Sequence, residues 1–311
     1  MKIIVTGALG HIGSALIRAL PNRFAGAEIV MIDNMATLRY ASLFDLPAHG
    51  KYRFIEADVR HADLRPLFEG AYAAVHLAAT TDAAGSVDNP TATEDNNYNA
   101  TAKVAVACAE TGTRLIHLSS TSVYGTQADT VSEACPAEDL KPQSPYAESK
   151  IKEEKLLRSL HNSGLQAIIC RFGTIFGASP GMRFHTAVNK FCWQAVMRQP
   201  LTIWRTAYDQ KRPYLDLADA VRAIAHILER DLFDGTIYNI LTLNATVRDL
   251  VEAIRKLLPE LSLSFVDSPI MNQLSYEVSA QRFVDRDFAF TGDLQRGIGD
   301  TVALLGNANR G

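Results

Sequence analysis

The chain has 311 residues, 47% of them hydrophobic and 21% charged, with a formal net charge of −3; this is ordinary globular composition, enough for a substantial core in one large or two ordinary domains. The charge leaves no electrostatic footprint for nucleic acid, and four dispersed cysteines without a C-x-x-C pair argue against a disulfide scaffold or a zinc site and fit a reducing compartment. No stretch approaches the roughly 20 apolar residues needed to span a bilayer, and the first twenty residues lack a signal-peptide pattern. The expectation is therefore a cytoplasmic protein with no membrane, nucleic-acid or metal partner.

In chain order, the apolar runs KIIVTG, EIVMID, RFIEAD, AVHLAA, RLIHLSS and QAIICRFG predict strands. They are continuous rather than alternating, as expected for strands covered by helices on both faces. Helix-like segments lie between them, among them SALIRAL, NATAKVAVACAETG and SKIKEEKLLRSLHNSG, the last two ending in Gly112 and Gly164, which suit left-handed C-caps. Such alternation predicts an α/β fold with a Rossmann-type doubly wound parallel sheet. After RFGTIFG the rhythm loosens into a helix-like AVNKFCWQAVMR and a short LTIW strand. A helix near 217–229 and the strand TIYNIL are expected to return to the sheet, and TVRDLVEAIRKLL reads as a later helix. The expected division is a nucleotide-binding domain over 1–171, completed by segments near 212–240, and a smaller mixed α/β, mostly substrate-binding region over 172–311.

The first strand runs into IIVTGALGHIGSALIRAL, which sets Gly7, Gly10 and Gly13 between strand and helix. Gly7 allows the tight turn, Gly10 lets backbone approach a pyrophosphate, and Gly13 allows close helix-strand packing, with the helix N-terminus facing the phosphate charge. His11 sits inside this loop and is expected to pack beside the first turn. Asp33 ends the second strand about 20 residues on, placed to accept hydrogen bonds from the adenosine ribose; a carboxylate there repels a 2′-phosphate and favours NAD over NADP. Asp58 follows the third strand and either touches adenine or caps its loop.

Taken together, the glycine spacing, HLAA, SSTSVYG and YAESK resemble the extended short-chain dehydrogenase/reductase superfamily, and within it the nucleotide-sugar epimerases and dehydratases. The similarity runs from Met1 to about Gly177 and more faintly beyond. The resemblance implies NAD as cofactor, held by the glycine loop with His11 and Ile12, by Asp33 and Asn34, by Asp58 and Val59, and by Leu77, Ala78, Ala79 and Asn97. It implies Ser120, Tyr146 and Lys150 as catalytic residues, the last two also touching the cofactor. On a helix, positions i and i+4 share a face, so the Lys150 ammonium can lie near the Tyr146 phenol. Positive charge from lysine and oxidised nicotinamide favours the phenolate, suiting Tyr146 to act as general base.

The substrate implied is a nucleotide-diphosphate sugar, held by Ser120, Tyr146, Thr174, Asn189 and Arg212, the arginine clamping the diphosphate with a planar donor fork. Related dehydratases carry Asp-Glu immediately after the hydroxyl residue; here those positions are Thr121 and Ser122. This favours 4-epimerisation through a transient 4-keto sugar, with Tyr146 as base and Ser120 and Lys150 assisting. A dehydratase or 4-keto-sugar reductase is the alternative, and a non-catalytic NAD-sensing or scaffold protein the distant one. Thr174 stands where the family usually has asparagine, Thr81 where sugar 4-epimerases have lysine, and the later R-x-G-D pattern is missing from SPIMNQLSYEVSAQR. Arg183, His185 and Lys190 form a cationic cluster without an assigned role. A homodimer through the helices near 96–111 and 147–162 is the family expectation.

Overall fold

The computed structural model describes residues 1–81, 85–87, 89–127, 130–267 and 275–306. The six apolar runs of the first half form strands β1 (Lys2–Thr6), β2 (Glu28–Asp33), β3 (Lys51–Glu56), β4 (Ala73–His76), β5 (Arg114–Ser120) and β6 (Ala167–Phe172). Between them lie helices α1 (His11–Arg23), α2 (Arg65–Phe68), α3 (Pro90–Thr111) and α4 (Pro145–Asn162). The second half supplies β7 (Thr174–Phe176), α5 (Ala187–Val196), β8 (Leu201–Trp204), β9 (Lys211–Asp216), α6 (Leu217–Arg230), β10 (Asp234–Ile240), β11 (Leu243–Thr246), α7 (Val247–Arg255), β12 (Leu263–Val266), α8 (Gln281–Val284) and α9 (Leu294–Leu305).

Seven strands pair in the order β10-β6-β5-β4-β1-β2-β3, and every pairing is parallel. This is the doubly wound Rossmann order, with β10 added beside β6. Strand alternation explains the two-sided burial. Ile3, Val5, Ile29 and Met31 face one core with Leu16 and Ile17 of α1 and Ile224 and Ile227 of α6. Ile4, Val30 and Ile32 face the other with Val104 and Cys108 of α3 and Leu157 of α4.

Helix starts and stops follow local chemistry. Asn89 and Ser144 cap α3 and α4 by accepting hydrogen bonds from Ala92 and Ala147, each followed by proline at the first helical position. Gly112 closes α3 in the left-handed conformation at φ 68°, whereas α4 is capped by Ser163, with Gly164 next at φ 108°. A smaller three-stranded sheet, β11-β9-β7, and the pair β12-β8 pack with α5, α7 and α9 around a separate core that includes Phe191, Leu250 and Ile298.

The helix bearing Tyr146 and Lys150 is fixed to the sheet by a buried ion pair. Arg171 on β6 donates through Nε and Nη2 to the two oxygens of Glu154 at 2.9 and 2.7 Å, and Ser119 Oγ on β5 donates to the same carboxylate at 2.5 Å. Removing one partner of a buried pair leaves the other charge uncompensated. Arg171→Met is therefore expected to lower unfolding free energy by about 3–5 kcal/mol in urea titrations. The double variant Arg171→Met/Glu154→Leu should recover much of that loss.

Candidate active site

The order of the sheet reverses between β1 and β4, and in doubly wound folds ligands bind in the crevice at the carboxyl ends of such strands. A cavity of about 720 Å³ opens there, bounded by the loops after β1, β2, β3, β4 and β5, the start of α4, and the wall formed by 172–214. Gly7, at φ +64°, turns directly under the loop after β4: a Cβ on it would lie 2.6 Å from Ala78 N. A Cβ on Gly13 would lie 2.4 Å from Gly7 O. Only glycine fits either place. Gly10 caps α1 without a side-chain hydrogen bond, so the first amides of that helix are left to an anion. Asp33 accepts from Leu9 N and Met35 N, each at 3.0 Å, which aims its carboxylate at the cavity. These residues fit a dinucleotide whose pyrophosphate lies on the glycine loop and whose ribose meets Asp33.

The expected cofactor residues Gly7, Gly10, His11, Ile12, Gly13, Asp33, Asn34, Asp58, Val59, Leu77, Ala78 and Ala79 all border this cavity. Asn97 does not. Its amide is spent on the backbone of Thr80, accepting from N at 2.7 Å and donating to O at 2.9 Å, so it shapes the loop after β4 from behind. His11 is buried and its Nε2 lies 2.7 Å from Gly177 O; burial holds the ring down to about 4, so it stays neutral. Asp58 does cap its loop: Arg60 hydrogen bonds pull its carboxyl well below the ordinary range.

Ser120, Tyr146 and Lys150 converge on the same cavity from the end of β5 and the first turns of α4. Lys150 Nζ lies 5.8 Å from the centre of the Tyr146 ring. Ser120 Oγ accepts from Ser122 N at 3.2 Å and from Ser122 Oγ at 2.9 Å, which leaves its own proton for a bound oxygen.

Across the cavity stand Thr174, Arg183, His185, Lys190 and Arg212, with Thr81 on the loop after β4. Arg212 Nε and Nη2 are buried with no hydrogen-bond partner among the described residues. Burying two guanidinium nitrogens without an acceptor is costly and calls for an anion. Asn189 is displaced from its expected place. It is fully buried, accepting from Gly177 N at 3.3 Å and donating to Arg183 O at 3.1 Å, so it holds the 177–183 loop rather than facing the cavity. Arg282, at the end of SPIMNQLSYEVSAQR and too far along to replace the missing arginine, donates to Ile237 O and does not border the cavity. The neighbouring residues 268–274, in the stretch where R-x-G-D is missing, lie outside those described.

Some of the wall had no signal in the sequence. Arg39 lies beside the glycine loop, 3.9 Å from where a Gly10 Cβ would stand, and Trp204, Tyr214 and Tyr276 line the far side. No spacing rule marks these positions, because separate segments bring them together. Among the described residues no helix is long and apolar enough to cross a membrane.

Fold and cavity together define a dinucleotide-binding enzyme of the Rossmann class. Residues 3–240 match the family model described as the NAD dependent epimerase/dehydratase family, and the chain belongs to that family. It is 32% identical over 251 residues to the uncharacterised UDP-glucose epimerase YtcB of Bacillus subtilis (strain 168), covering 77% of this chain and 76% of that protein. It is 32% identical over 249 residues to a UDP-glucose 4-epimerase of Azospirillum brasilense, covering 73% and 69%. Among solved structures it superposes with a TM-score of 0.87 on the UDP-glucuronic acid 4-epimerase of Bacillus cereus, in complex with UDP-glucuronic acid and NAD. That pair shares 26% identity and covers 99% of this chain and 100% of the other. NAD is the cofactor of this family and of that complex.

Replacing Asp33 by asparagine removes the charge of this cavity carboxylate while keeping its shape. NAD affinity is expected to fall roughly 10- to 100-fold, the worth of a hydrogen bond to a charged group. Preference over NADP should narrow at the same time, as titrations of both nucleotides will show.

Proposed function

We propose that the protein is an NAD-dependent 4-epimerase of UDP-sugars that works through a transient 4-keto sugar. The observation that carries this reading is the charge of the cavity wall. Among the described residues, its only carboxylates are Asp33 and Asp58, at the adenosine end. Around Ser120 and Tyr146 the wall carries hydroxyls, Thr121 and Ser122, where water elimination would need an acid and a base. Proton exchange with the sugar 4-hydroxyl is left to one phenol.

Bound NAD supplies a reversible hydride acceptor. Ser120, its oxygen already accepting twice, donates to the sugar O4, and Tyr146 takes the O4 proton. Lys150 stabilises the resulting charge distribution beside the phenol. Once the keto sugar has turned its other face, Tyr146 returns the proton to O4. Arg212 holds the diphosphate throughout, so the sugar turns while its handle stays fixed. Residues 1–171 with 212–240 carry the cofactor in this reading, and most of 172–311 carries the substrate. Arg183 and Lys190 add cationic side chains to the same wall, which suits the double negative charge of a diphosphate. The protein is further proposed to act in the cytoplasm as a homodimer joined through α3 and α4, a reading supported by the exposed Val106 on α3.

Incubation with UDP-glucose, UDP-N-acetylglucosamine and UDP-glucuronic acid, followed by NMR, tests the reading. The expected result is a mixture of 4-epimers with no net change in reduced cofactor. Accumulating 4-keto product would make the protein a dehydratase; stoichiometric consumption of reduced cofactor with a 4-keto substrate would make it a reductase. Tyr146→Phe should lower kcat by roughly 10²- to 10⁴-fold, the usual worth of a positioned acid-base group; full turnover in that variant would remove the proposed base. Arg212→Ala should raise KM about 10- to 100-fold, the cost of losing charge-assisted hydrogen bonds. A KM unchanged from the parent would place the diphosphate elsewhere.

A further inference from the structure

Lys150 is only 3% exposed, so its ammonium is almost entirely out of water. Among the described residues its hydrogen-bond acceptor is Glu153, one turn further along α4, whose Oε2 accepts from Nζ at 2.8 Å. Glu153 is itself fully buried. Ser149 Oγ donates to its other oxygen at 2.6 Å, and Thr101 Oγ1 on α3 donates to Oε2 at 3.0 Å. His117 Nε2 on β5 lies 3.3 Å from Oε2, and His76 on β4 reaches the cluster through Thr101 at 3.3 Å. Thr6 Oγ1, one residue before Gly7, bonds His76 Nδ1 at 2.7 Å. The cluster therefore runs from the active-site lysine to the root of the glycine loop.

The charges in this pocket can be counted among the described residues. Burial, with the nearby Lys150, pushes His117 well below its ordinary range. Burial, with His117 and Lys150, holds His76 down to about 3. Both rings are neutral at working pH. Glu154 is spent on Arg171. Tyr146 lies on the cavity side of the lysine. That leaves Glu153 as the counter-ion of Lys150. Burial by itself would strip the proton from such a lysine, as it does from buried lysines generally; attraction to Glu153, with Tyr146, more than offsets this, and Lys150 is held above its ordinary range.

We propose that Glu153 is a positioning residue for the Tyr146–Lys150 pair, a buried counter-charge that keeps the lysine protonated and fixed beneath the phenol and acts on Tyr146 only through it. The proposal rests on Tyr146 being the base. Without Glu153 the ammonium would be buried and unpaired, would give up its proton, and would no longer favour the phenolate.

The test uses the full-length NAD-loaded protein and the ultraviolet signal of tyrosinate, with Tyr146→Phe subtracted to isolate that phenol. In Glu153→Gln the signal is expected to appear about one pH unit or more higher than in the parent, the size of shift a lost neighbouring charge produces. The acidic limb of the kcat profile should move with it. Glu153→Asp keeps the charge but draws it back by a methylene, and should shift the signal less and in the same direction; it serves if the glutamine variant does not fold. A merely structural role would lower stability and kcat at every pH without moving the titration. Coincident curves, or a downward shift, would overturn the proposal. If Tyr146→Phe keeps full turnover, the assigned base falls, and the tyrosinate titration still decides what Glu153 does.

Discussion

Two adjacent carboxylates on α4, Glu153 and Glu154, enter the protein interior where a helix normally presents apolar side chains. Each meets one cation, Arg171 for Glu154 and Lys150 for Glu153. Taking four charges out of water is expensive, and buried pairs often repay little more than their desolvation. What they supply here is position. Glu154 gathers Ser119 from β5 and Arg171 from β6 onto one helix, and the Arg171 guanidinium lies 4.8 Å over the Tyr124 ring, whose hydroxyl donates to Asn239 of β10 at 2.8 Å. Ser119 points to the α4 face, so by strand alternation its neighbour Ser120 points the other way. Ser119 is thus committed to anchoring the helix, while Ser120 is left to border the cavity.

The second constraint is the seam between the glycine loop and the segment after β7. His11 reaches Gly177 O, Ser179 Oγ donates to His11 O at 2.9 Å, and Ser14 Oγ accepts from Gly181 N at 3.0 Å. Gly181 comes so close to the loop that a Cβ on it would lie 2.2 Å from Leu9 O. Asn189 braces this segment from behind. The wall bearing Arg183 is therefore built directly on the phosphate loop, and the two halves of the cavity have little freedom to drift apart. Asn189 and Asn97 serve the ligands indirectly, by fixing the backbone that does border the cavity.

The sheet was legible because strands buried on both faces must be apolar throughout, and KIIVTG or QAIICRFG has no other comfortable place. The glycine loop was legible because Gly7 and Gly13 meet backbone at distances that any side chain would violate. Tyr146 and Lys150 were readable from one helical turn plus the accompanying motifs. Asn97 and Asn189 were not, since a motif gives the position of an amide but not which way it turns once backbone groups compete for it. Least visible was Glu153: in KIKEEKLL it reads as one more charge on a solvated helix face. Its burial depends on His76, Thr101 and His117, which lie tens of residues away and reach it only through the parallel sheet and the α3–α4 contact.

Charge is sorted along the cavity in a way that bears on the chemistry. Carboxylates and Arg39 occupy the end near the glycine loop, Arg183, Lys190 and Arg212 the far wall, and hydroxyls with Lys150 the middle. In the proposed reading a diphosphate is drawn toward Arg212, while the glycine-loop amides take the dinucleotide's own pyrophosphate, so two polyanionic ligands settle without sharing a counter-ion. Between them, in the same reading, Tyr146 carries the proton, and Lys150 supplies charge rather than an exchangeable proton so long as Glu153 holds it. In that reading a single phenol removes the O4 proton and gives it back, and among the described residues no carboxylic acid of the wall stands beside it to expel a hydroxide. On the proposed mechanism, the same sorting that admits the sugar nucleotide biases the keto sugar toward reduction before it leaves.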